Sequence, residues 1–235
     1  LEGIKNCVEE GIFTSIATTV TRHNVKEVRN LIELGRRMRV SRFIHFNFIP
    51  TGRGREITGL DISPEEREEL LKILYEESKI PGIEVLSTAP QFGRMVVEQS
   101  MGSSAAPTHF YIGESGKWGL KSLAQFIGGC GAGRLYCAIQ PDGLVTPCVF
   151  MPSLVVGNLR TTRFKTIWRE NRILRELRNK DLLKPSCGTC ENRYVCGGCR
   201  ARSLGYLSDH LAPDIGCIKN LAWWERLSSE VVLAA

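Results

Sequence analysis

The sequence lacks the features that would place a chain in a membrane. Its 235 residues contain no apolar run of about 18 residues, the length that a membrane-spanning helix needs. No signal-peptide pattern opens the chain, and no low-complexity segment interrupts it. Its four histidines, His23, His45, His109 and His210, do not have the spacing of metal ligands. We therefore expect a folded protein without a membrane span.

The sequence also lacks a basic segment of the kind that binds nucleic acid. The formal net charge is +6, but residues 1–149 carry 17 Lys and Arg against 17 Asp and Glu. The excess lies in residues 150–235, with 14 basic against 8 acidic side chains, and we see no clustered basic patch with interleaved aromatic residues there. We expect no nucleic-acid partner. The basic half either offsets the charge of a bound anionic group or forms a solvated face.

Cysteine, by contrast, is abundant in the second half of the chain. Eight of the nine cysteines have the spacing C-x6-C-x10-C, then C-x2-C-x5-C-x2-C after a gap, and a last cysteine 18 residues further on. They are Cys130, Cys137, Cys148, Cys187, Cys190, Cys196, Cys199 and Cys217.

Three kinds of chemistry compete for these thiols. Four thiolates hold one [4Fe–4S] cluster, so eight are the complement of two. Two C-x2-C pairs are equally compatible with a four-cysteine zinc site. Disulfides belong to oxidising compartments and mostly to small secreted domains. A 235-residue chain with 43% hydrophobic residues can form a hydrophobic core without them. Spacing alone leaves clusters and zinc open, and free thiols predict a cytoplasmic location.

The amino-acid sequence around the first cysteines favours iron–sulfur clusters over zinc. The run GGCGAGRLYCAIQPDGLVTPC, with Gly143 five residues before Cys148, resembles the SPASM domain, the twin-cluster extension of many radical S-adenosylmethionine (SAM) enzymes. The later cysteines follow the same pattern, except that two residues instead of three separate Cys196 and Cys199. This wording, with CGGCRAR, is most similar to the radical SAM enzymes of haem d1 synthesis and of the alternative haem pathway.

The resemblance implies a division of the ligands between two auxiliary [4Fe–4S] clusters. The first cluster is expected on Cys130, Cys137, Cys148 and Cys199. The second is expected on Cys187, Cys190, Cys196 and Cys217. A closely spaced cysteine run often sends its fourth thiolate to the other cluster, which is the role expected of Cys199.

The first half of the chain reads as alternating strands and helices. Residues 12–20 are β-branched and apolar, which predicts a strand buried on both faces. Asn24 is a candidate N-cap for a following helix, and residues 42–49 form a second strand. Ser63, Pro64 and Glu66 predict the start of the next helix. Strand–helix–strand order predicts parallel pairing.

This half resembles the closing strands of a radical SAM partial (β/α)6 barrel. The predicted fold is therefore α/β, with the C-terminal part of a TIM-like barrel at residues 1–119 and a Cys-rich α+β SPASM domain at residues 120–235. The family's C-x3-C-x2-C signature is absent, since Cys7 is the only cysteine before Cys130. The chain begins with Leu1, and we expect it to be a fragment that is inactive alone.

Four polar residues of the barrel half are candidates for small-molecule contacts. Thr18 and Asn47 lie late in the two strands, where barrel sites are found, and are candidates to contact SAM or substrate. Arg53 and Arg55 follow the second strand in a glycine-flanked loop. Arginine binds carboxylates through two parallel hydrogen bonds, and a tetrapyrrole offers several carboxylates.

The resemblance implies a radical SAM enzyme that modifies tetrapyrrole side chains. In such an enzyme SAM is cleaved at a third [4Fe–4S] cluster outside this chain, and the 5′-deoxyadenosyl radical abstracts hydrogen from the substrate. The auxiliary clusters take up or relay an electron, and a ferredoxin or flavodoxin is the expected donor. The alternatives are a peptide or sulfatase maturase of the same superfamily and a non-catalytic zinc-binding module.

Overall fold

The computed structural model describes residues 1–101 and 128–233. The predicted boundary at residues 119/120, and nearly all of the loop predicted at residues 101–119, lie outside the described residues. In the first part the elements are α1 Glu2–Glu9, β1 Ser15–Val20, α2 Val28–Arg37, β2 Arg42–Asn47, α3 Pro64–Glu77, β3 Glu84–Ser87 and α4 Gln91–Gln99. In the second part they are β4 Ala138–Ile139, β5 Leu144–Thr146, β6 Gly157–Asn158, α5 Phe164–Glu170, α6 Arg172–Arg178, α7 Arg200–Leu207 and α8 Leu221–Leu233.

The first part is built on a parallel three-stranded sheet in the order β1-β2-β3. Ile16 pairs with Phe43, and Phe43 pairs with Val85, so the strands run in register. Helices α2 and α3 form the two crossovers, as strand–helix–strand order predicts. Phe43 and Ile32 are fully buried in the core between sheet and helices. The parallel α/β architecture predicted from the sequence is confirmed.

The prediction that the first strand is buried on both faces is wrong. In β1 only Val20 is buried, and exposed residues alternate with half-buried ones. Ile16 packs against the core, whereas Ser15, Ala17 and Thr19 lie on the exposed face. Strand side chains point alternately to opposite faces, and helices cover only one of them in the described residues. The apolar composition of this strand therefore overstates its burial.

The two predicted helix starts have different outcomes. Ser63 and Glu66 form a capping box, because each side chain bonds the other residue's backbone N–H, and Pro64 follows at the first helical position. Asn24 does not cap α2. Its side chain instead accepts a hydrogen bond from the Thr21 N–H at 2.9 Å and donates one to the Thr19 carbonyl at 3.0 Å. Asn24 therefore stabilises the turn after β1 rather than the helix.

The second part contains an antiparallel sheet in the order β4-β5-β6. Strands β4 and β5 form a hairpin, and Gly143 in its turn has φ of 87°, which favours glycine. Helix α7 packs against the carboxyl end of β2 so closely that a Cβ at Gly205 would lie 2.8 Å from the Pro50 ring. The two parts of the chain therefore meet where β2 ends.

Among the described residues, every helix is too short or too polar to cross a membrane.

Candidate metal centres

Three of the eight cysteines are buried side by side, and we call them the first group; the four cysteines of the cleft described below are the second group. Cys130, Cys148 and Cys199 are each less than a tenth exposed and pack with Ala132, Met151 and Ala201. Cys148 follows β5, and Cys199 directly precedes α7. Burial raises the pKa of the Cys199 thiol, and the nearby Cys130 raises it further. The fold therefore brings together thiols that are up to 69 positions apart in the sequence.

Tyr136 completes this first group and was not predicted from the sequence. Its hydroxyl lies 3.8 Å from the Cys148 Sγ. Burial raises the pKa of Tyr136, and Cys130, Cys148 and Cys199 add to that effect. The phenol is therefore neutral and can donate a hydrogen bond to a thiolate. No spacing rule points to a tyrosine at this position, because its role depends on the packed hairpin.

Cys137 is not part of the first group of buried cysteines. Its half-buried side chain packs with a different hydrophobic group that includes Val145, Val156 and Leu174. Burial raises the pKa of the Cys137 thiol, and no other cysteine contributes to that shift. Its place as a fourth ligand of the first cluster remains a prediction from the resemblance alone.

The other four cysteines line one cleft. They are Cys187, Cys190, Cys196 and Cys217, and the cleft is partly open to solvent. Arg94, Lys219 and Asn220 are among the other residues that line it. Burial raises the pKa of the Cys217 thiol to about 12, and Asp214 and Cys187 also raise it. A metal that binds to these cysteines as thiolates must displace the protons of their thiols.

Backbone and side-chain N–H groups point at sulfur atoms of the second group. The Asp214 N–H donates to the Cys187 Sγ at 3.4 Å, and the Gly198 N–H donates to the Cys196 Sγ at 3.3 Å. The Asn220 amide lies 3.8 Å from the Cys187 Sγ. Hydrogen bonds to the sulfurs are one of the levers that set the potential of an iron–sulfur cluster. The donor set of this group therefore fits such a cluster.

The two groups are adjacent. The Cys130 N–H donates to the Cys196 carbonyl at 3.2 Å. Gly129 has φ of 74°, and a Cβ there would lie 2.1 Å from that carbonyl oxygen, so only glycine fits.

Buried Lys180 donates from Nζ to the carbonyls of Gly128 and Tyr194. Its pKa falls to about 8 because burial and the cation of Arg134 outweigh the opposing effect of Cys196 and Cys130.

Among residues 1–101 and 128–229, the side chains of His, Cys, Asp and Glu form no group of three or more arranged around a single metal-ion position.

Thr18 and Asn47 lie on the helix-facing side of the sheet. Thr18 pairs in register with the fully buried His45, and Asn47 is 4% exposed. The side-chain oxygen Oδ1 of Asn47 accepts a hydrogen bond from the Arg67 guanidinium, and the backbone N–H of Asn47 donates to Thr88 Oγ1 at 3.1 Å. Asn47 thus has a structural partner in the described chain. Contacts of Thr18 and Asn47 with SAM remain predictions.

Arg53 and Arg55 are exposed on the segment Gly52–Leu60, beyond the carboxyl end of β2. Gly52 has φ of 53°, and a Cβ at Gly54 would approach the Ile49 carbonyl to 3.1 Å. The glycines therefore allow the tight path of this loop. Both guanidinium groups stand in solvent, which is what binding an external carboxylate requires.

A buried ionic lock joins this loop region to the cysteine-rich part. Asp61 accepts from Arg67 at 2.6 Å and from Arg202 at 2.8 Å, and all three side chains are at most 1% exposed. Arg202 also donates to the Phe48 carbonyl at 2.7 Å. Burial alone would raise the pKa of Asp61, but the cations of Arg202 and Arg67 outweigh it and hold the pKa below its usual value. Asp61 is therefore ionised at neutral pH.

Comparison with known proteins identifies relatives of this chain. Residues 130–191 match the model of SPASM, an iron–sulfur cluster-binding domain. The AdoMet-dependent heme synthases of Nitratidesulfovibrio vulgaris and Methanosarcina barkeri are each 32% identical to this chain, over 92% and 93% of its length. The pre-heme d1 synthase of Dinoroseobacter shibae is 25% identical over 92% of the chain.

The chain spans 57% and 59% of the lengths of the two heme synthases, and so only part of each. Among solved structures, SuiB of Streptococcus suis bound to S-adenosylmethionine superposes on 92% of this chain with a TM-score of 0.60 and 15% identity. That likeness covers 48% of the SuiB chain and concerns the fold. The chain therefore carries a SPASM iron–sulfur cluster-binding domain and belongs to the radical SAM/SPASM family.

Proposed function

We propose that this chain is the C-terminal part of a radical SAM/SPASM enzyme that modifies the side chains of a tetrapyrrole. The observation that carries this proposal is the similarity to two AdoMet-dependent heme synthases over more than nine-tenths of the chain. The pre-heme d1 synthase among the relatives supports the same substrate class. In the full-length enzyme, SAM and a third [4Fe–4S] cluster would bind to the part that precedes this chain.

We also propose that the two cysteine groups hold two auxiliary [4Fe–4S] clusters. Cys130, Cys148 and Cys199, with Cys137 as the ligand implied by resemblance, would hold the first. Cys187, Cys190, Cys196 and Cys217 would hold the second. When bound, such clusters supply one-electron transfer. The chain's own part is to bury the thiolates, to donate N–H groups to sulfur and to place Lys180 and Arg134 nearby.

A first prediction concerns metal content. Because eight thiolates are the complement of two cubanes, the anaerobically reconstituted chain is expected to bind about eight irons and eight sulfides. Broad visible absorption should accompany them. Iron, acid-labile sulfide and zinc are measured in the same sample. Stoichiometric zinc without sulfide would contradict the cluster assignment and favour the zinc-binding module.

A second prediction concerns the substrate. Arg53 is expected to pair with a tetrapyrrole carboxylate, since its flanking glycines allow close approach of a planar ligand. Because a charge-assisted hydrogen bond is lost, Arg53→Ala should weaken binding of an iron porphyrin to the full-length enzyme by about ten- to a hundredfold. Arg53→Lys should restore only part of the affinity, since it keeps the charge and loses the bidentate geometry. The measurement is a titration followed by the shift of the Soret band.

Exposed Arg39, which follows α2, provides the matched control for this titration. Arg39→Ala removes a surface arginine away from the carboxyl ends of the strands and should leave porphyrin affinity unchanged. Equal weakening by both variants would mean that net charge, not a specific pair, governs binding.

A peptide substrate is the second candidate, and specific relatives favour it. The mycofactocin maturase MftC of Mycobacterium tuberculosis is 29% identical over 87% of this chain. SuiB bound to its precursor peptide SuiA superposes with a TM-score of 0.63. If the full-length enzyme failed to bind porphyrin at tens of micromolar and bound a cysteine-containing peptide tightly, the peptide-maturase alternative would replace the tetrapyrrole proposal.

The electron donor that we propose is a ferredoxin or a flavodoxin. The support is the charge of residues 150–235, with 14 basic against 8 acidic side chains, because electrostatic complementarity steers an acidic carrier to a basic surface.

A further inference from the structure

Asp214 is a fully buried carboxylate that no motif identifies. It lies between α7 and the segment Ile218–Asn220, three residues before Cys217. Both of its oxygen atoms accept hydrogen bonds. Oδ2 accepts from the Cys199 N–H at 2.7 Å and from the Gln91 side chain at 2.7 Å. Oδ1 accepts from the Gly216 N–H at 3.0 Å and from the Arg202 guanidinium at 3.2 Å.

The same residue contacts one cysteine of each group. Its carboxylate holds the backbone N–H of Cys199, which belongs to the first group. Its own N–H donates to the Cys187 Sγ, and its carbonyl accepts from the Asn220 amide at 2.6 Å, which in turn faces the same sulfur. A change at Asp214 is therefore transmitted to two metal sites through direct contacts.

Asp214 also connects these sites to the barrel half. Gln91 begins α4, and Arg202 bridges Asp214 to Asp61. A Cβ at Gly198 would lie 2.7 Å from the Asp214 Cβ, so the loop that carries Cys196 and Cys199 closes directly over this residue. A side chain with so many partners and so little space has a fixed position.

We propose that Asp214 is a positioning residue shared by the two auxiliary cluster sites. It fixes the Cys199 and Cys187 ligand segments relative to each other, and it places one negative charge beside both clusters. The potentials of the two clusters are therefore set together. This inference rests on the proposed function, because it requires that both cysteine groups hold iron–sulfur clusters.

The test is Asp214→Asn, which keeps the size of the side chain and removes its charge. The protein is the reconstituted 235-residue chain, and the readouts are iron and sulfide content and a potentiometric titration followed by electron paramagnetic resonance. Removing a nearby negative charge stabilises the reduced, more anionic form of a cluster. Both midpoint potentials are therefore expected to rise.

Variants that touch one group provide the references. Tyr136→Phe removes the hydroxyl beside Cys148 and should shift the first cluster alone. Lys219→Gln removes a cation that lines the cleft of the second group and should shift the second alone. Asp209→Asn removes a carboxylate in the same segment, which pairs with Lys184 at the surface, and should shift neither.

The outcomes separate cleanly. A joint shift of both potentials in Asp214→Asn, with iron and sulfide content retained, supports the inference. A change confined to one cluster, or no change in either, overturns it. If the unmodified chain binds zinc without sulfide, the proposed function has failed and the inference fails with it, whereas failure of the inference alone requires an unmodified chain that holds both clusters.

Discussion

Cys190→Ala is expected to abolish the second cluster and to leave most of the first, whereas Cys148→Ala should do the converse. The reason is the separation of the thiols into two groups. Cys190 lines the cleft of Cys187, Cys196 and Cys217, whereas Cys148 packs with Cys130 and Cys199. A cubane that loses one of four thiolates loses its hold on one iron, so each variant should retain about half of the iron and sulfide.

Iron and sulfide analysis, together with electron paramagnetic resonance of the reduced chain, provides the measurement. Cys7→Ala is the control, because Cys7 lies on α1 in the barrel half, outside both groups. It should retain full cluster content. Equal loss of both clusters in every single variant would show one cooperative metal-dependent fold and would contradict the division.

Arg202→Met is the substitution expected to cost the most stability. Arg202 is fully buried and is the cation that Asp61 and Asp214 share. Its removal leaves these carboxylates short of charge compensation inside the protein, where the loss of one partner typically costs about 3–5 kcal/mol. The free energy of unfolding is measured by urea titration of the reconstituted chain, followed by circular dichroism.

Two further variants serve as controls for the loss of stability in Arg202→Met. Arg202→Lys retains the charge and should recover part of the stability, which a purely steric role would not explain. Arg172→Met removes a side chain that is 77% exposed and pairs with Glu176, and an exposed pair contributes below about 1 kcal/mol. A similar loss of stability in Arg172→Met and Arg202→Met would contradict the buried lock.

Local patterns predicted the local structure well. The helix start at Ser63 depends on neighbouring residues and the parallel pairing of the first strands depends on element order, and both predictions are confirmed. Spacing also located the cysteine-rich region. The structure packs Cys130, Cys148 and Cys199 together and lines one cleft with the other cysteines of this region except Cys137. The division of the ligands between two clusters, which the family resemblance implied, stays a prediction.

Interactions across long sequence distances were not predictable in this way. The Arg202–Asp61 pair joins positions 141 residues apart, and the Gln91–Asp214 bond joins positions 123 apart. No period or motif specifies such partners, because they meet only after both halves have folded. The exposed face of β1 has the same origin, since composition reports what a strand can bury and not what covers it.

Helix α7 has a consequence for engineering chimaeras between relatives. Cys199 directly precedes the helix, Arg202 lies within its first turn, and Gly205 lies one turn further on against Pro50. Each residue rotates a helix by about 100°. Inserting one residue between Cys199 and Arg202 would therefore prevent the thiol and the guanidinium from facing their respective partners at the same time. A domain exchange that replaces residues 199–216 must therefore import residues 47–67 from the same parent.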